Sequence, residues 1–432
     1  MPVSLNASAP DFDERLRALL DRRRDEGDDA ERIAAEIIRR VRLEGDAAVI
    51  DYTRRFDRLE LSPARLRIGT EEIAAAVSRC DGRELAALAL ARDRIEDYHR
   101  RQLPPDADYR DQAGVRLGWR WRPIEAVGIY VPGGTAAYPS SVLMNAVPAR
   151  VAGVFRLVMA VPTPEGGLNP LVLAAAQLAG ITEIYRIGGA QAIAALAYGT
   201  ATIPKVEKIV GPGNAFVAAA KRQVFGEVGI DVIAGPSEIV VVAERGSDPA
   251  WIAADLLSQA EHDSRAQAIL ITDDSAFAER VGQAIERHLA TLPRAEIARA
   301  SWDRHGALIL VPDLDLAAQV VDIIAPEHLE LALGNPEPLL SKVRHAGAIF
   351  LGHYAPEAIG DYVAGPSHVL PTSGGARFAS GLSVLDFLKR TSIIGLDRTG
   401  LDALGPAAQS LAEAEGLDAH AASVALRLRS KR

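Results

Sequence analysis

Four short segments determine the predicted fold: VGIYV (127–131), RLVMAV (156–161), EIYRIGG (183–189) and KIVGPGN (208–214). Each segment is short, contains β-branched residues, and ends at a glycine or proline turn that leads into a helical, alanine-rich stretch. A strand, a turn and a helix that recur in this order predict parallel strands joined by crossover helices. We therefore predict a doubly wound α/β unit over residues 127–237.

A second stretch with the same character follows, and its strand-like segments are EIVVVA (238–243), AILITDD (268–274), GALILVP (306–312) and GAIFLG (347–352). This second stretch predicts a second doubly wound unit. Between residues 11 and 102, apolar residues recur every three or four positions, and this spacing predicts helices. We expect four parts, namely a helical extension (1–25), a first α/β domain with a helical lead-in (26–126 plus 238–378), a second α/β domain (127–237) and a helical tail (379–432).

Composition limits the class of protein. The 432 residues suffice for two sizeable domains, and 48% of them are hydrophobic, as in a folded globular chain. A net charge of −9 without long basic runs disfavours nucleic acid as a partner, and no apolar run is long enough for a membrane span. The N-terminal stretch lacks the pattern of a signal or transit peptide, and the single cysteine, Cys80, excludes an internal disulfide. We expect a cytoplasmic protein that binds neither nucleic acid nor membrane.

Nine histidines are candidate ligands or bases. Four of them lie in charged or surface-like contexts, and we expect them to be solvated: His99, His288, His305 and His345. The other five lie among carboxylates, amides or Gly/Pro turns and are the candidates for chemistry: His262, His328, His353, His368 and His420.

The segment LLSQAEHD (256–263) is a candidate metal-binding element. Gln259 and His262 are three residues apart in a predicted helix, so both side chains leave the same face and can converge on one ion. A polar helix end in solvent has the same pattern, so this pair alone is a weak signal.

The segment IIAPEHLELALG (323–334) contains a candidate acid–base pair. Pro326 favours the first turn of a helix, which would place Glu327 and His328 at the positive end of the helix dipole. That position favours an ionised glutamate and an uncharged histidine, the states in which both accept protons. An exposed capping glutamate beside a surface histidine is an equally good interpretation.

A glycine- and proline-rich segment (353–378) carries Asp361 and His368 among apolar residues, as constrained loops that build sites often do. A purely structural loop is the alternative.

Glu415 and His420 lie in the helical tail and would by themselves be taken for surface residues. The turn GPGN (211–214) is a poor dinucleotide signal, because Phe216 occupies the position at which the usual fingerprint requires its third glycine.

Taken together, these segments resemble the histidinol dehydrogenase family. The resemblance extends from about residue 127 to the tail, departs from the family pattern at Pro366 and Ser367, and rests on motifs in family order: GIYVPGG (128–134), YPSSVLMNAVPA (138–149), GGAQAIAALAYGT (188–200), KIVGPGN (208–214), GIDVIAGPSE (229–238), LLSQAEHD (256–263), APEHLE (325–330), GDYVAGPSHVLPT (360–372) and GARFASGLSV (375–384). It implies two Rossmann-like units of the aldehyde-dehydrogenase type with helical extensions. It also implies oxidation of L-histidinol through L-histidinal to L-histidine with two NAD, the last step of histidine biosynthesis.

The resemblance also implies roles for individual residues. One zinc ion per subunit would be bound by Gln259, His262, Asp361 and His420, and the proton acceptors would be Glu327 and His328. NAD would contact Tyr130, Gln191 and Asn214. Substrate contacts would be Ser237, His328, His368, Glu415 and the four zinc ligands. In the family the tail crosses to the partner, so the resemblance implies a homodimer whose sites are completed in trans by Glu415 and His420.

Nitrogen and oxygen donors of this kind suit zinc, and three of the four expected ligands are neutral, which leaves the ion a net positive charge.

Three other functions remain open at this point. A related zinc and NAD dehydrogenase could act on a different small amino alcohol, and a zinc hydrolase could use Glu327 to activate water without any hydride transfer. A non-catalytic protein could bind a small metabolite through the same side chains.

Overall fold

Two parallel sheets and a small antiparallel sheet organise the chain. The computed structural model describes residues 2–22, 28–133, 138–233 and 235–430. The predicted boundary between residues 25 and 26 lies outside these ranges, as do parts of the GIYVPGG and GIDVIAGPSE motifs. No helix within them is long and apolar enough to cross a membrane. The two parallel sheets confirm the predicted α/β class with two doubly wound units.

The N-terminal part is mainly helical, as predicted, but it begins with a strand that was not predicted. After β1 (Val3–Asn6) it contains α1 (Phe12–Asp21), α2 (Asp28–Glu44), α3 (Asp46–Asp57), α4 (Pro63–Leu66), α5 (Thr70–Val77) and α6 (Gly82–Arg100). In α2 the buried residues Ala34, Ile37 and Val41 recur at helical spacing, so one face of the helix packs inward. Two short strands follow, β2 (Ala107–Arg110) and β3 (Arg116–Pro123).

The first parallel sheet has five strands in the order β6-β5-β4-β7-β8. Its elements are β4 (Ala126–Tyr130), α7 (Pro139–Ala152), β5 (Arg156–Ala160), α8 (Pro170–Leu178), β6 (Glu183–Tyr185), α9 (Gly189–Tyr198), β7 (Lys208–Val210), α10 (Ala215–Val224) and β8 (Gly229–Ile230). The order of strands reverses between β4 and β7. In doubly wound sheets, ligands bind outside the carboxyl ends of the strands at such a reversal.

The second parallel sheet has six strands in the order β1-β11-β10-β9-β12-β13. Its remaining elements are β9 (Glu238–Ala243), α11 (Pro249–Ala260), β10 (Gln267–Thr272), α12 (Ser275–Leu289), α13 (Ala295–His305), β11 (Ala307–Leu310), α14 (Leu314–Ile324), β12 (His328–Ala332), α15 (Glu337–Leu340), β13 (Ala348–Leu351) and α16 (Glu357–Tyr362). Apart from β1 at its edge, this sheet repeats the strand order of the first, which explains the loose duplication seen in the sequence.

The helical lead-in packs on a different unit from the one we predicted. We grouped residues 26–126 with 238–378, but α2 packs on α9 and α10, α5 on α8, and α6 on α7. The buried face of α2, including Ile37, shares one core with Ile193 and Leu196 of α9. The lead-in therefore belongs physically with the unit of residues 127–237. Helical spacing reveals an apolar face but not the surface that covers it.

The C-terminal part also departs from the all-helical tail expected from residue 379. A strand, β14 (Leu388–Gly395), pairs antiparallel with β3 before the final helices α17 (Arg398–Ala414) and α18 (Asp418–Arg429). These two helices pack on each other. In this isolated chain Leu411 and Leu426 are 65% and 68% exposed, so the helix pair presents apolar side chains to solvent.

Candidate functional site

A cavity of about 590 Å³ lies at the carboxyl ends of the first parallel sheet. Its wall includes Tyr130 at the end of β4, Pro162 after β5, Gly188 after β6 and Asn214 after β7. The cavity therefore occupies the place at which the strand order reverses, where a doubly wound sheet binds its ligand.

All three residues predicted to contact NAD line this cavity. The Tyr130 hydroxyl oxygen accepts a hydrogen bond from the Gly189 N–H at 3.1 Å, so its own hydrogen can be donated to a ligand. The side-chain oxygen Oδ1 of Asn214 caps α10 by accepting from two backbone N–H groups, which leaves the side-chain NH₂ free to donate to a ligand. Within the described parts of the chain, the buried Oε1 atom of Gln191 has no hydrogen-bond partner.

The GPGN turn is held in place by a buried ion pair between Lys221 and Asp231. Asp231 accepts a hydrogen bond from the Gly211 N–H at 2.8 Å, and the Lys221 ammonium donates to the Gly211 carbonyl at 3.1 Å. Gly211 has φ +114°, and a Cβ atom there would lie 2.1 Å from the Tyr130 carbonyl oxygen. Only glycine permits this close passage, which positions Asn214 beside Tyr130 without the usual fingerprint.

A second group of polar residues lies at the amino ends of β9 and β12 in the other sheet. The backbone of Glu238 holds both predicted proton acceptors, because its N–H donates to Glu327 Oε2 at 2.9 Å and its carbonyl lies 3.0 Å from His328 Nδ1. Both side chains are buried, with 6% and 4% of Glu327 and His328 exposed. They are therefore fixed side by side by main-chain contacts.

The predicted helix start at Pro326 is wrong, because His328 is the first residue of strand β12. Helix α14 ends at Ile324, and Ala325 adopts a left-handed conformation with φ 51°. A left-handed residue followed closely by proline is a helix stop, and the residues beyond it enter the sheet. The electrostatic argument from a helix dipole consequently does not apply to this pair.

Burial sets the charge of His328 instead. It lowers the pKa of the imidazole to about 4, so the ring is neutral at neutral pH. Since a carbonyl can only accept, the contact with the Glu238 carbonyl assigns the ring hydrogen to Nδ1. The lone pair is then on Nε2, which lies 3.6 Å from Glu357 Oε1. His328 is thus arranged as a proton acceptor at Nε2.

Glu327 shows the opposite effect of the same environment. Burial raises the pKa of its carboxyl well above the usual value, and the neighbouring acidic groups Glu238, Asp361 and Glu357 raise it further. In the chain alone, burial therefore works against the ionised Glu327 that we expected at a helix end. A cation bound nearby would favour the carboxylate form.

Helix α16 and the loop after it supply the opposite wall. The ligand atoms of His328, Glu357 and Asp361 all lie within 4.8 Å of one another. His368 contacts the Asp361 carbonyl through Nδ1 at 3.1 Å and the Ser141 hydroxyl through Nε2 at 3.2 Å. Sequence reasoning missed Glu357 and Ser141, although Glu357 is four residues before Asp361 and so shares its helix face.

The expected ligands Gln259 and His262 lie at the end of α11. We predicted that both side chains leave the same face of one helix. The helix ends at Ala260, however, so His262 belongs to the turn after it. A positive charge on His262 would lower the pKa of both His328 and His368.

The donors at this place fit a metal ion. Gln259 is 1% exposed, and its Oε1 atom has no partner among the residues that the structure describes. An unpaired buried amide oxygen is free to bind a metal ion, and nitrogen and oxygen donors are those that zinc accepts.

The remaining predicted residues differ in location. Ser237 directly precedes β9 and Glu238, and is therefore beside the buried pair. Glu415 and His420 lie in the α17–α18 region and are exposed to solvent. Two histidines that we expected to be solvated are buried instead, His99 with 0% and His305 with 8% of its surface exposed.

Comparisons with known proteins agree with the resemblance seen in the motifs. The family profile described as histidinol dehydrogenase matches residues 20–428. The chain is 61% identical to histidinol dehydrogenase from Ruegeria pomeroyi over 99% of both chains, and 61% identical to that from Rhodopseudomonas palustris over 100% of both. The crystal structure of histidinol dehydrogenase from Elizabethkingia anophelis matches with a TM-score of 0.94 at 36% identity, covering 99% of this chain and 98% of that one. The chain therefore belongs to the histidinol dehydrogenase family of NAD-dependent oxidoreductases.

Proposed function

We propose that this chain catalyses the four-electron oxidation of L-histidinol through L-histidinal to L-histidine, with two NAD and one zinc ion per subunit. The observation that carries the proposal is the pairing of Glu327 with a buried His328, whose Nε2 atom lies 3.6 Å from Glu357 Oε1 in a group that includes Asp361. When bound, zinc orients the alcohol of the substrate and NAD takes up the electrons of both oxidations. The reducing conditions of the cytoplasm suit a chain with a single cysteine.

Zinc would be held by Gln259, His262 and Asp361 together with His420 from a second copy of the chain. The unpaired amide oxygen of Gln259 supports this assignment, because a buried acceptor without a donor is costly unless a ligand satisfies it. Exposure of His420 in the isolated chain is consistent with a ligand that serves another subunit. This set shares Asp361 with the group of His328, Glu357 and Asp361.

The two buried side chains would divide the proton transfers. His328 accepts the hydroxyl proton of the substrate at Nε2 during the first oxidation, because its Nδ1 hydrogen is engaged with the Glu238 carbonyl. Glu327 accepts a proton from the water that adds to the aldehyde, and the resulting hydrate is the substrate of the second oxidation. Ser237, His368 and a partner's Glu415 would bind the polar groups of histidinol.

The stoichiometry of reduced cofactor tests this proposal directly. Purified enzyme with zinc, excess NAD and a limiting amount of L-histidinol is expected to yield two NADH for each histidinol, because the alcohol carbon is oxidised twice. A single NADH per substrate would contradict the second oxidation. A zinc hydrolase would form no NADH, and turnover with another amino alcohol in place of histidinol would indicate a different substrate.

Replacement of His262 by alanine is expected to weaken zinc binding by more than about 100-fold, because losing a direct ligand costs more than losing an outer partner. Zinc content after dialysis against a weak chelator measures the effect. His353→Ala is the matched control, since His353 lies 3.8 Å from Glu244 beyond the opposite, carboxyl end of β9. Equal zinc retention by both variants would show that His262 is not a ligand.

A further inference from the structure

One wall of the NAD cavity is built by the N-terminal helices and carries an unusual carboxylate. Asp57, the last residue of α3, lines the cavity and is only 9% exposed. Its Oδ2 atom is buried and makes no hydrogen bond to any described residue. Burial raises the pKa of this carboxyl to about 6, so at neutral pH the group is mostly an unpaired anion. Such an acceptor is costly in the empty protein and calls for donors from a ligand.

The position of Asp57 indicates which part of a dinucleotide would supply those donors. The catalytic group, by which we mean Glu327, His328 and the acidic residues around them, is built from β9, β12 and α16. The wall that contains Asp57 is built from α2 and α3. NAD must place its nicotinamide at the catalytic group, so the ribose that faces α3 is the one that bears adenine. A ribose diol offers two hydroxyl donors, which is what an unpaired carboxylate lacks.

We propose that Asp57 accepts hydrogen bonds from the adenosine ribose hydroxyls of NAD and thereby selects NAD over NADP. This inference rests on the proposed function, because it assumes that the cavity binds the dinucleotide. The 2′-phosphate of NADP would replace one hydroxyl donor by a dianion, and the Asp57 carboxylate would repel it. A carboxylate serves this purpose in ordinary dinucleotide folds, where it follows the second strand instead of ending a preceding helix.

Two arginines and a second carboxylate line the same wall. Arg32 is paired with Asp29 at 3.3 Å, and the Arg55 guanidinium lies over the Phe56 ring with 5.5 Å to its centroid. Glu36 also lines the cavity and adds a further negative charge. The lining carries two positive and two negative side chains, so discrimination against a second phosphate rests on Asp57 itself and on its unmet need for donors.

Direct binding of NAD and of NADP to the zinc-loaded enzyme, by calorimetry without histidinol, tests the inference. Asp57→Ala is expected to weaken NAD binding by about 10- to 100-fold, the usual effect of losing hydrogen bonds to a charged group, without weakening NADP. The preference for NAD then falls by the same factor. Asp51→Ala is the matched control, because Asp51 is an acid of the same helix that pairs with Arg40 and Arg54 on its outer surface. It is expected to change NAD binding by less than about threefold.

The outcomes separate this inference from the proposed function. Absence of NAD binding to the unaltered enzyme would overturn the proposed function. NAD binding and turnover by that enzyme, with an unchanged ratio of NAD to NADP affinity in Asp57→Ala, would overturn only the role of Asp57. An equal loss in Asp51→Ala would point to a general charge effect and would also overturn it. If the alanine variant is unfolded by circular dichroism, Asp57→Asn keeps the shape and removes the charge, and the same fall in NAD preference is expected.

Discussion

Replacement of Glu327 by glutamine is expected to stop the reaction at the aldehyde. Glutamine keeps the size of the side chain and an oxygen that can accept the Glu238 N–H, now bonded to Glu327 at 2.9 Å. It cannot take a proton from water, and loss of a positioned general base costs about 10²- to 10⁴-fold. Oxidation of L-histidinal should fall by that factor, whereas oxidation of L-histidinol to the aldehyde continues because His328 is intact. Single-turnover assays with each substrate measure the two steps separately.

Two comparisons make this result decisive. His328→Asn should show the reverse pattern, with the alcohol oxidation slowed more than the aldehyde oxidation, because asparagine lacks the basic Nε2 atom. Zinc content and NAD affinity of Glu327→Gln should match those of the unaltered enzyme, since neither is assigned to Glu327. If the variant oxidises the aldehyde at the normal rate and is slow only on the alcohol, the roles of the two residues are exchanged.

The fold was predictable where one physical signal determined the local structure. The strands β4, β5, β6 and β7 each end in a glycine or proline turn and lead into an apolar helix, and such units fold into parallel sheets with little freedom. The segment HLELA has no such clear signal. Its leucines alternate with polar residues as in a strand, but the preceding Pro326 is compatible with a helix start. Burial between β9 and β13 decides in favour of the strand, and such pairing depends on residues far away in the sequence.

The candidate site was predictable by residue type but not by geometry. Motif resemblance indicated Glu327 and His328, yet the reason for the neutral histidine is burial and not a helix dipole. Glu357 and Asp57 were missed, because a carboxylate attracts notice only when its burial and its missing partners are known. Such properties arise from tertiary packing, which one sequence does not contain.

The position of the tail gives the second large prediction. His420 and Glu415 are exposed on a helical pair, and apolar residues such as Leu411 and Leu426 are exposed beside them. A surface of this kind is typical of an interface. We call the chain outside the tail (379–432) the body. If each tail completes the zinc site of the other subunit, a subunit without His420 still has an intact body, and a subunit without Glu327 still has an intact tail.

Co-expression of Glu327→Gln chains with His420→Ala chains is therefore expected to restore the formation of L-histidine, which neither variant alone carries out at an appreciable rate. In the mixed dimer, the body of the His420→Ala chain meets the intact tail of its partner, so one of the two sites is complete. Random pairing should give about a quarter of the unaltered activity, and tag-purified mixed dimers about half. Glu327→Gln co-expressed with His262→Ala is the matched control, because both defects lie in the body and every site remains defective. Inactive mixed dimers in the first experiment would show that the tail does not act in trans.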